Sequence, residues 1–145
     1  MKKIFNVEEF PELQCPAEDY LGIIEFFKKF TKEWYDAHGI YCERHHIYPK
    51  GETQEEILEF VFLPFKYHYL AHYYRAIHAE NELLLRVNFN ACKIMMCKRR
   101  CRKNFDLEAI KWDDSFYETR RKQVQRSAIR LSKRKQKLIK RRKGL

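Results

Sequence analysis

Residues 41–72 read YCERHHIYPKGETQEEILEFVFLPFKYHYLAH and contain four of the six histidines of the 145-residue chain. Two segments rich in aromatic and β-branched residues, 39–49 and 57–63, flank a polar, turn-like segment and predict two strands. Pro49 ends the first segment and Pro64 ends the second, and proline also suits the first turn of a helix. The stretch therefore predicts two strands followed by a helix over residues 64–80.

The histidines occupy positions on these elements that are typical of a metal site. His68 and His72 are four residues apart, so on a helix they share one face at a spacing that a metal ion can bridge. His45 and His46 are adjacent on a strand, so their side chains point to opposite faces, and one of the two can join the helical pair. Three protein ligands leave an open position, which is typical of a catalytic metal. The remaining imidazole, with an ordinary pKa of about 6.5, can accept a proton from water.

The segments ERHHIYPKG, residues 43–51, and FVFLPFKYHYLAH, residues 60–72, resemble the HNH endonuclease family. The likeness is to its small phage and intron-associated, homing-type members, whose pattern runs E-x-H-H-I-x-P, N-L-V-x-L and E-H-x-x-x-H. The resemblance implies a mostly helical α+β fold with a ββα-metal (His-Me finger) core at about residues 40–80. In such a fold, helices and a basic C-terminal helix flank a short two-stranded antiparallel hairpin.

The resemblance also implies the chemistry of a metal-dependent DNA endonuclease. His45, His68 and His72 would hold one divalent metal ion, and His46 would be the general base for the water that attacks a phosphodiester. The ion would be Mg²⁺ or a transition metal such as Zn²⁺, Mn²⁺ or Ni²⁺. Three imidazoles accept transition metals readily, whereas magnesium prefers oxygen ligands.

Three further residues receive roles from the same resemblance. Glu43 shares a strand face with His45, so we expect it to orient the His45 ring without binding the metal itself. Arg44 shares the other face with His46, so we expect it to contact the phosphate. The family's middle asparagine falls on Glu59, which we assign to the catalytic site. Glu59 either substitutes for the asparagine as a hydrogen-bond partner or marks weakened activity.

The positive charge of the chain is concentrated at its C-terminal end. The net charge is +10, yet all 20 acidic residues lie at or before Glu118, and residues 1–119 alone carry a net charge of −3. A helix with many cations and no acidic residue suits a phosphate backbone, where it releases counterions and adds affinity without reading sequence. We therefore expect the partner to be DNA, most simply double-stranded. The residues assigned to DNA binding are Arg120, Arg121, Lys122, Arg126, Arg130, Lys133, Arg134 and Lys137.

Length and composition predict one nuclease domain, residues 1–104, followed by a helical basic tail, residues 105–145. Further helices are predicted over residues 16–38, over residues 81–102 and after the turn-like KWDDS segment at 111–115. No apolar run is long enough to span a membrane and no segment resembles a secretory signal. We expect an intracellular protein, in the cytoplasm of a microbial or phage-infected host cell, with reduced cysteines and no membrane partner.

Two other functions fit the same residues. One is a nucleic-acid-binding protein that has lost catalysis on the same scaffold, for which Glu59 is the strongest argument. The other is a structural zinc protein that uses histidine and cysteine ligands, including Cys42. The sequence leaves the DNA target and the oligomeric state open.

Overall fold

The computed structural model describes residues 7–47, 59–100 and 104–144. Within these ranges the protein is mostly helical α+β, with five α-helices and a two-stranded antiparallel sheet. The elements, in chain order, are α1 Tyr20–Phe27, α2 Lys32–Ala37, β1 Glu43–His46, β2 Phe60–Leu63, α3 Phe65–Ile77, α4 Glu82–Met95 and α5 Phe116–Arg142. Short 3-10 helices span Val7–Glu9, Pro11–Leu13 and Leu107–Ile110. No helix in the described ranges is long and apolar enough to cross a membrane.

Both predicted strands are present, in shortened form. β1 and β2 pair with Glu43 opposite Leu63 and His46 opposite Phe60, and the Ile47 amide extends the pairing by donating to the Glu59 carbonyl at 3.0 Å. The predicted turn between them, and the outer ends of both predicted strands at 48–49 and 57–58, lie outside the described residues. Because side chains alternate along a strand, β1 has an inner face that is buried and an outer face that is more open.

Helix α3 lies between two hydrophobic clusters and begins directly after Pro64, as predicted. One side of α3 packs with Tyr67 against α1 and β2, and the other side packs with Tyr69 against α4 and α5. The two-strands-then-helix prediction is therefore confirmed. α3 is also the element that carries two of the candidate metal ligands.

Three helix predictions were wrong in their bounds, and the first is the helix predicted over 64–80, which spans Phe65–Ile77. Residues 16–38 form two helices because Thr31 begins α2 with its own N-cap, accepting a hydrogen bond from the Trp34 amide at 3.1 Å. The helix predicted over 81–102 ends at Met95, and Cys97 adopts a left-handed φ of 57° that stops the helical path. The helix after the KWDDS segment is confirmed as α5.

The first part of α5 packs on the body, whereas the rest is exposed. Tyr117 is buried in the same cluster as Phe65 and Ile110, and Val124 packs partly buried against that cluster. From residue 125 to residue 144 every position is exposed. The packed part lies beyond the predicted domain boundary at 104/105, and the division into two domains itself stays a prediction.

Candidate metal centre

Three histidines from β1 and α3 converge in the interior of the protein. His45 is 2% exposed and His72 is 7% exposed, while His68 is half-buried. One ring nitrogen from each lies within 4.8 Å of the other two. The ring centroids are 4.9 Å apart for His45 and His72 and 5.2 Å apart for His45 and His68. These are the three ligands predicted from sequence, and their grouping could hold a metal ion.

Hydrogen bonds fix the rings of the two helical histidines. His68 Nδ1 lies 2.6 Å from Glu43 Oε1, and His72 Nδ1 lies 2.9 Å from Asn88 Oδ1. A carboxylate oxygen and an amide oxygen accept only, so each Nδ1 must carry the proton and donate. The Asn88 orientation is consistent with this, because its amide nitrogen donates to the Leu84 carbonyl at 2.8 Å. In both helical histidines Nε2 is therefore the ring nitrogen that is available to a metal.

The ring of His45 is fixed by a different partner. Its Nε2 lies 2.9 Å from the Tyr20 hydroxyl, and that hydroxyl donates its only hydrogen to the Ile47 carbonyl. The Tyr20 oxygen can then only accept from His45, so Nε2 carries the proton and Nδ1 keeps its lone pair. Each of the three rings thus has one nitrogen fixed by a neighbouring group and the other without a partner among the described residues, which is the arrangement that metal-ligating histidines use. The donor set fits a divalent metal ion.

Glu43 is the most heavily bonded group of the site. Its side chain is 5% exposed and accepts from His68 on one oxygen, and from Tyr41 Oη at 2.6 Å and Arg120 Nε at 2.7 Å on the other. Burial alone would raise the pKa of this carboxyl, but the hydrogen bonds and charges of His68 and Arg120 outweigh burial and lower the pKa to about 2. Glu43 is therefore an anion that holds His68, not His45 as the sequence analysis expected.

Burial also keeps the two innermost ligands neutral. Desolvation, followed by the charge of His68, lowers the pKa of His72 to about 3. Desolvation and the neighbouring histidines lower the pKa of His45 as well. Neutral imidazole is the form that binds a metal, so a proton competes weakly for these two ligands at neutral pH.

The predicted catalytic residues lie on or beside the outer face of the hairpin. His46 is half-buried, with its ring centroid 6.5 Å from that of Phe60, and Arg44 is exposed with its guanidinium 5.3 Å from the same ring. Glu59 is exposed directly before β2, and its backbone carbonyl accepts a hydrogen bond from the Ile47 amide. The alternation of β1 thus separates His46 from the three inward-facing ligand rings.

The residues assigned to DNA binding divide into two groups. Lys122, Arg126, Arg130, Lys133, Arg134 and Lys137 are exposed along α5, and Arg121 is 3.5 Å from Glu118 on the same helix. Arg120 differs, because its guanidinium turns inward to Glu43. The DNA-binding role of the whole set stays a prediction.

Sequence reasoning missed four residues that hold the site together. Tyr20, Tyr41, Asn88 and the inward-facing Arg120 approach the histidines or Glu43 from other elements. Asn88 gave the clearest signal, because it is a polar residue on the apolar face of α4 and is fully buried. The contacts of Tyr20 and Arg120 depend on how distant segments pack and leave no local pattern.

Cysteines do not join this cluster among the residues that the structure describes. Cys42 is half-buried beside the hydrophobic core, Cys92 is buried and Cys97 is exposed, and in the described ranges only the three histidines form a group at ligand distance. Cys101 lies outside the described residues. The zinc site with cysteine ligands therefore gains no support from the described part of the chain.

Comparisons with family models, curated proteins and solved structures find no match to this chain.

Proposed function

We propose that this protein is a metal-dependent DNA endonuclease of the HNH, or ββα-metal, kind. The observation that carries the proposal is the convergence of His45, His68 and His72, with one ring nitrogen of each within 4.8 Å of the other two, on a hairpin followed by a helix and next to a fourth histidine on the same strand. The order and spacing of these four histidines agree with the HNH pattern from Glu43 to His72. A purely structural site would be expected to supply a fourth protein ligand.

His46 is the general base in this proposal. It follows ligand His45 directly, so the backbone fixes its distance from the metal site while strand alternation keeps its nitrogens out of the ligand set. When bound, the divalent ion would supply Lewis-acid stabilisation of the charge that develops on the phosphate. His46 accepts the proton of the attacking water, and Arg44, exposed on the same strand face, binds a phosphate oxygen.

The exposed part of α5 supplies the affinity for DNA. From Arg126 to Arg142 the helix presents only basic and neutral residues to solvent, over roughly 25 Å at 1.5 Å per residue. Such a helix binds the phosphate backbone without reading bases, so it tethers the substrate and does not select a target.

A second function, nucleic-acid binding without cleavage, is favoured by Glu59. The residue stands where the HNH pattern has asparagine, it is exposed, and it comes directly before Phe60, the residue that pairs with His46 across the hairpin. Its hydrogen bond to Ile47 uses only the backbone carbonyl, which any residue could provide. Replacing Glu59 with asparagine should raise nicking if the acid weakens the site.

The test is cleavage of supercoiled plasmid by the purified protein with Mn²⁺, Mg²⁺ or Zn²⁺ and with a chelator. We expect nicking by the wild type in at least one metal and none with the chelator. His46→Ala should abolish nicking while metal binding persists, and His78→Ala, at the exposed C-terminal end of α3, should leave it unchanged.

Two results would reject the nuclease. Equal nicking by His46→Ala would remove His46 as the base. Tight metal and DNA binding by a wild type that cuts DNA in none of these metals would favour the binding protein instead.

A further inference from the structure

We infer that Arg120, near the N-terminal end of α5, is a positioning residue for the metal centre and acts through Glu43 on ligand His68. The inference rests on the metal-binding part of the proposed function and does not require DNA cleavage. In this inference α5 has two roles. Its exposed cations bind DNA, and its Arg120 holds the carboxylate that orients His68.

Arg120 is held at both ends of its guanidinium group. Its Nε donates to Glu43 Oε2 at 2.7 Å, and its Nη1 donates to Gln123 Oε1 at 2.8 Å. The group also lies 5.4 Å from the ring centre of Phe65, at the start of α3. The Arg120 side chain is 22% exposed, and these two hydrogen bonds restrict its guanidinium group to a single orientation. Arg120 is therefore a fixed cation facing the carboxylate.

Glu43 connects Arg120 to the candidate ligand His68 through its two carboxylate oxygens. One carboxylate oxygen receives Arg120 and Tyr41, and the other receives His68 Nδ1 at 2.6 Å. Among the described contacts of Glu43, Arg120 is the permanent cation, and a buried carboxylate that loses its cationic partner is strongly destabilised. Without Arg120 the carboxylate gains by turning toward water, which removes the acceptor that fixes the tautomer and rotation of His68.

The N-terminal part of α5, residues 116–124, packs on the rest of the protein through contacts that do not involve Glu43. Tyr117, three residues before Arg120 and on the same helical face, is 1% exposed, and its hydroxyl accepts from the Val7 amide at 3.1 Å. Val124, four residues after Arg120, packs against the same cluster. Arg120 is thus presented from a rigid helix, and removing the exposed part of α5 beyond residue 125 should leave its contact intact.

The experiment is a Co²⁺ titration of the full chain, followed by the visible absorption of the bound ion, which reports its ligand geometry. We expect Arg120→Gln to weaken Co²⁺ binding by roughly 10- to 100-fold and to change the spectrum, as loss of a group behind a ligand does in other metal sites. Lys66→Gln is the matched control. Lys66 has a 20% exposed side chain and a 2.7 Å ion pair with Glu8, and that pair does not lead to a ligand.

A double-mutant cycle separates positioning from a general loss of stability. In a Glu43→Ala background the substitution Arg120→Gln should have no further effect on Co²⁺ affinity, because the carboxylate that links Arg120 to His68 is already absent. Arg120→Lys keeps the charge and most of the packing, so it should fold even if Arg120→Gln does not, and should bind Co²⁺ with intermediate affinity.

Unchanged Co²⁺ affinity and spectrum in folded Arg120→Gln or Arg120→Lys would overturn the inference, as would equal losses in the presence and absence of Glu43. These outcomes do not depend on nicking. A wild type that binds Co²⁺ and fails to cut DNA would reject the nuclease and leave the role of Arg120 standing, whereas a wild type that binds no Co²⁺ would reject both.

Discussion

Replacing Asn88 with alanine should weaken the metal centre without touching a ligand. Asn88 is 1% exposed and accepts from His72 Nδ1 at 2.9 Å while donating to the Leu84 carbonyl at 2.8 Å. Alanine leaves the buried Nδ1–H of His72 without an acceptor, which costs about 1 to 3 kcal/mol in the free energy of unfolding. His72 can relieve this cost by moving its proton to Nε2, but that removes the lone pair from the metal site.

The expected loss of metal affinity follows from the same contact. Removal of a group that orients a ligating histidine typically lowers affinity by roughly 10- to 100-fold, or about 1.4 to 2.7 kcal/mol. Asn88→Asp keeps an acceptor for His72 and should retain most of the affinity. Isothermal titration calorimetry with Zn²⁺ compares the two variants directly.

Asn81→Ala is the control for this prediction. Asn81 caps the same helix by accepting from the Leu84 amide at 2.9 Å, so its loss should cost about 1 kcal/mol in stability and nothing in metal affinity. Wild-type Zn²⁺ affinity in Asn88→Ala would refute the reasoning, because His72 would then not need Asn88 to present Nε2.

Two further predictions concern acid stability and the basic helix. Because the pKa of Glu43 is lowered to about 2 in the folded protein, its stabilising effect is complete above the ordinary value of 4.5 and is lost as the pH falls toward 2. Urea unfolding of the metal-free protein should therefore show a loss of about 3 kcal/mol over this window that Glu43→Gln lacks; parallel pH profiles would contradict it. Truncation after Gln125 removes a segment in which residues 126–144 are all exposed, so the melting temperature should hardly change while DNA affinity falls and its salt dependence flattens. A salt slope equal to that of the full chain, measured by fluorescence anisotropy, would show that the exposed helix is not the phosphate tether.

The elements that could be predicted from sequence are those governed by neighbouring residues. Pro64 followed by an apolar helical stripe indicated α3, and the i, i+4 spacing of His68 and His72 placed both rings on one face. The break between α1 and α2 was missed because continuous apolar periodicity obscured the capping signal of Thr31. Local rules therefore brought together the three histidines that could hold a metal ion and erred on helix ends.

The residues that orient the candidate ligands through hydrogen bonds could not be predicted in the same way. Arg120 lies 77 positions from Glu43 in the chain, and Tyr20 lies 25 positions from His45. Such pairs form only when separate helices pack, and no periodicity encodes their partners. For the same reason Arg120 was grouped with the exposed cations that follow it, since composition alone does not distinguish a buried guanidinium from a solvated one.

The X-ray absorption spectrum of the protein loaded with one equivalent of Zn²⁺ tests the metal centre most directly. Three imidazole ligands predict nitrogen and oxygen neighbours at about 2.0 to 2.1 Å, the multiple-scattering pattern of three histidine rings, and no sulfur. In His72→Ala the imidazole contribution should fall by one ring. A sulfur neighbour at about 2.3 Å, or an unchanged imidazole contribution in His72→Ala, would contradict a site built from His45, His68 and His72.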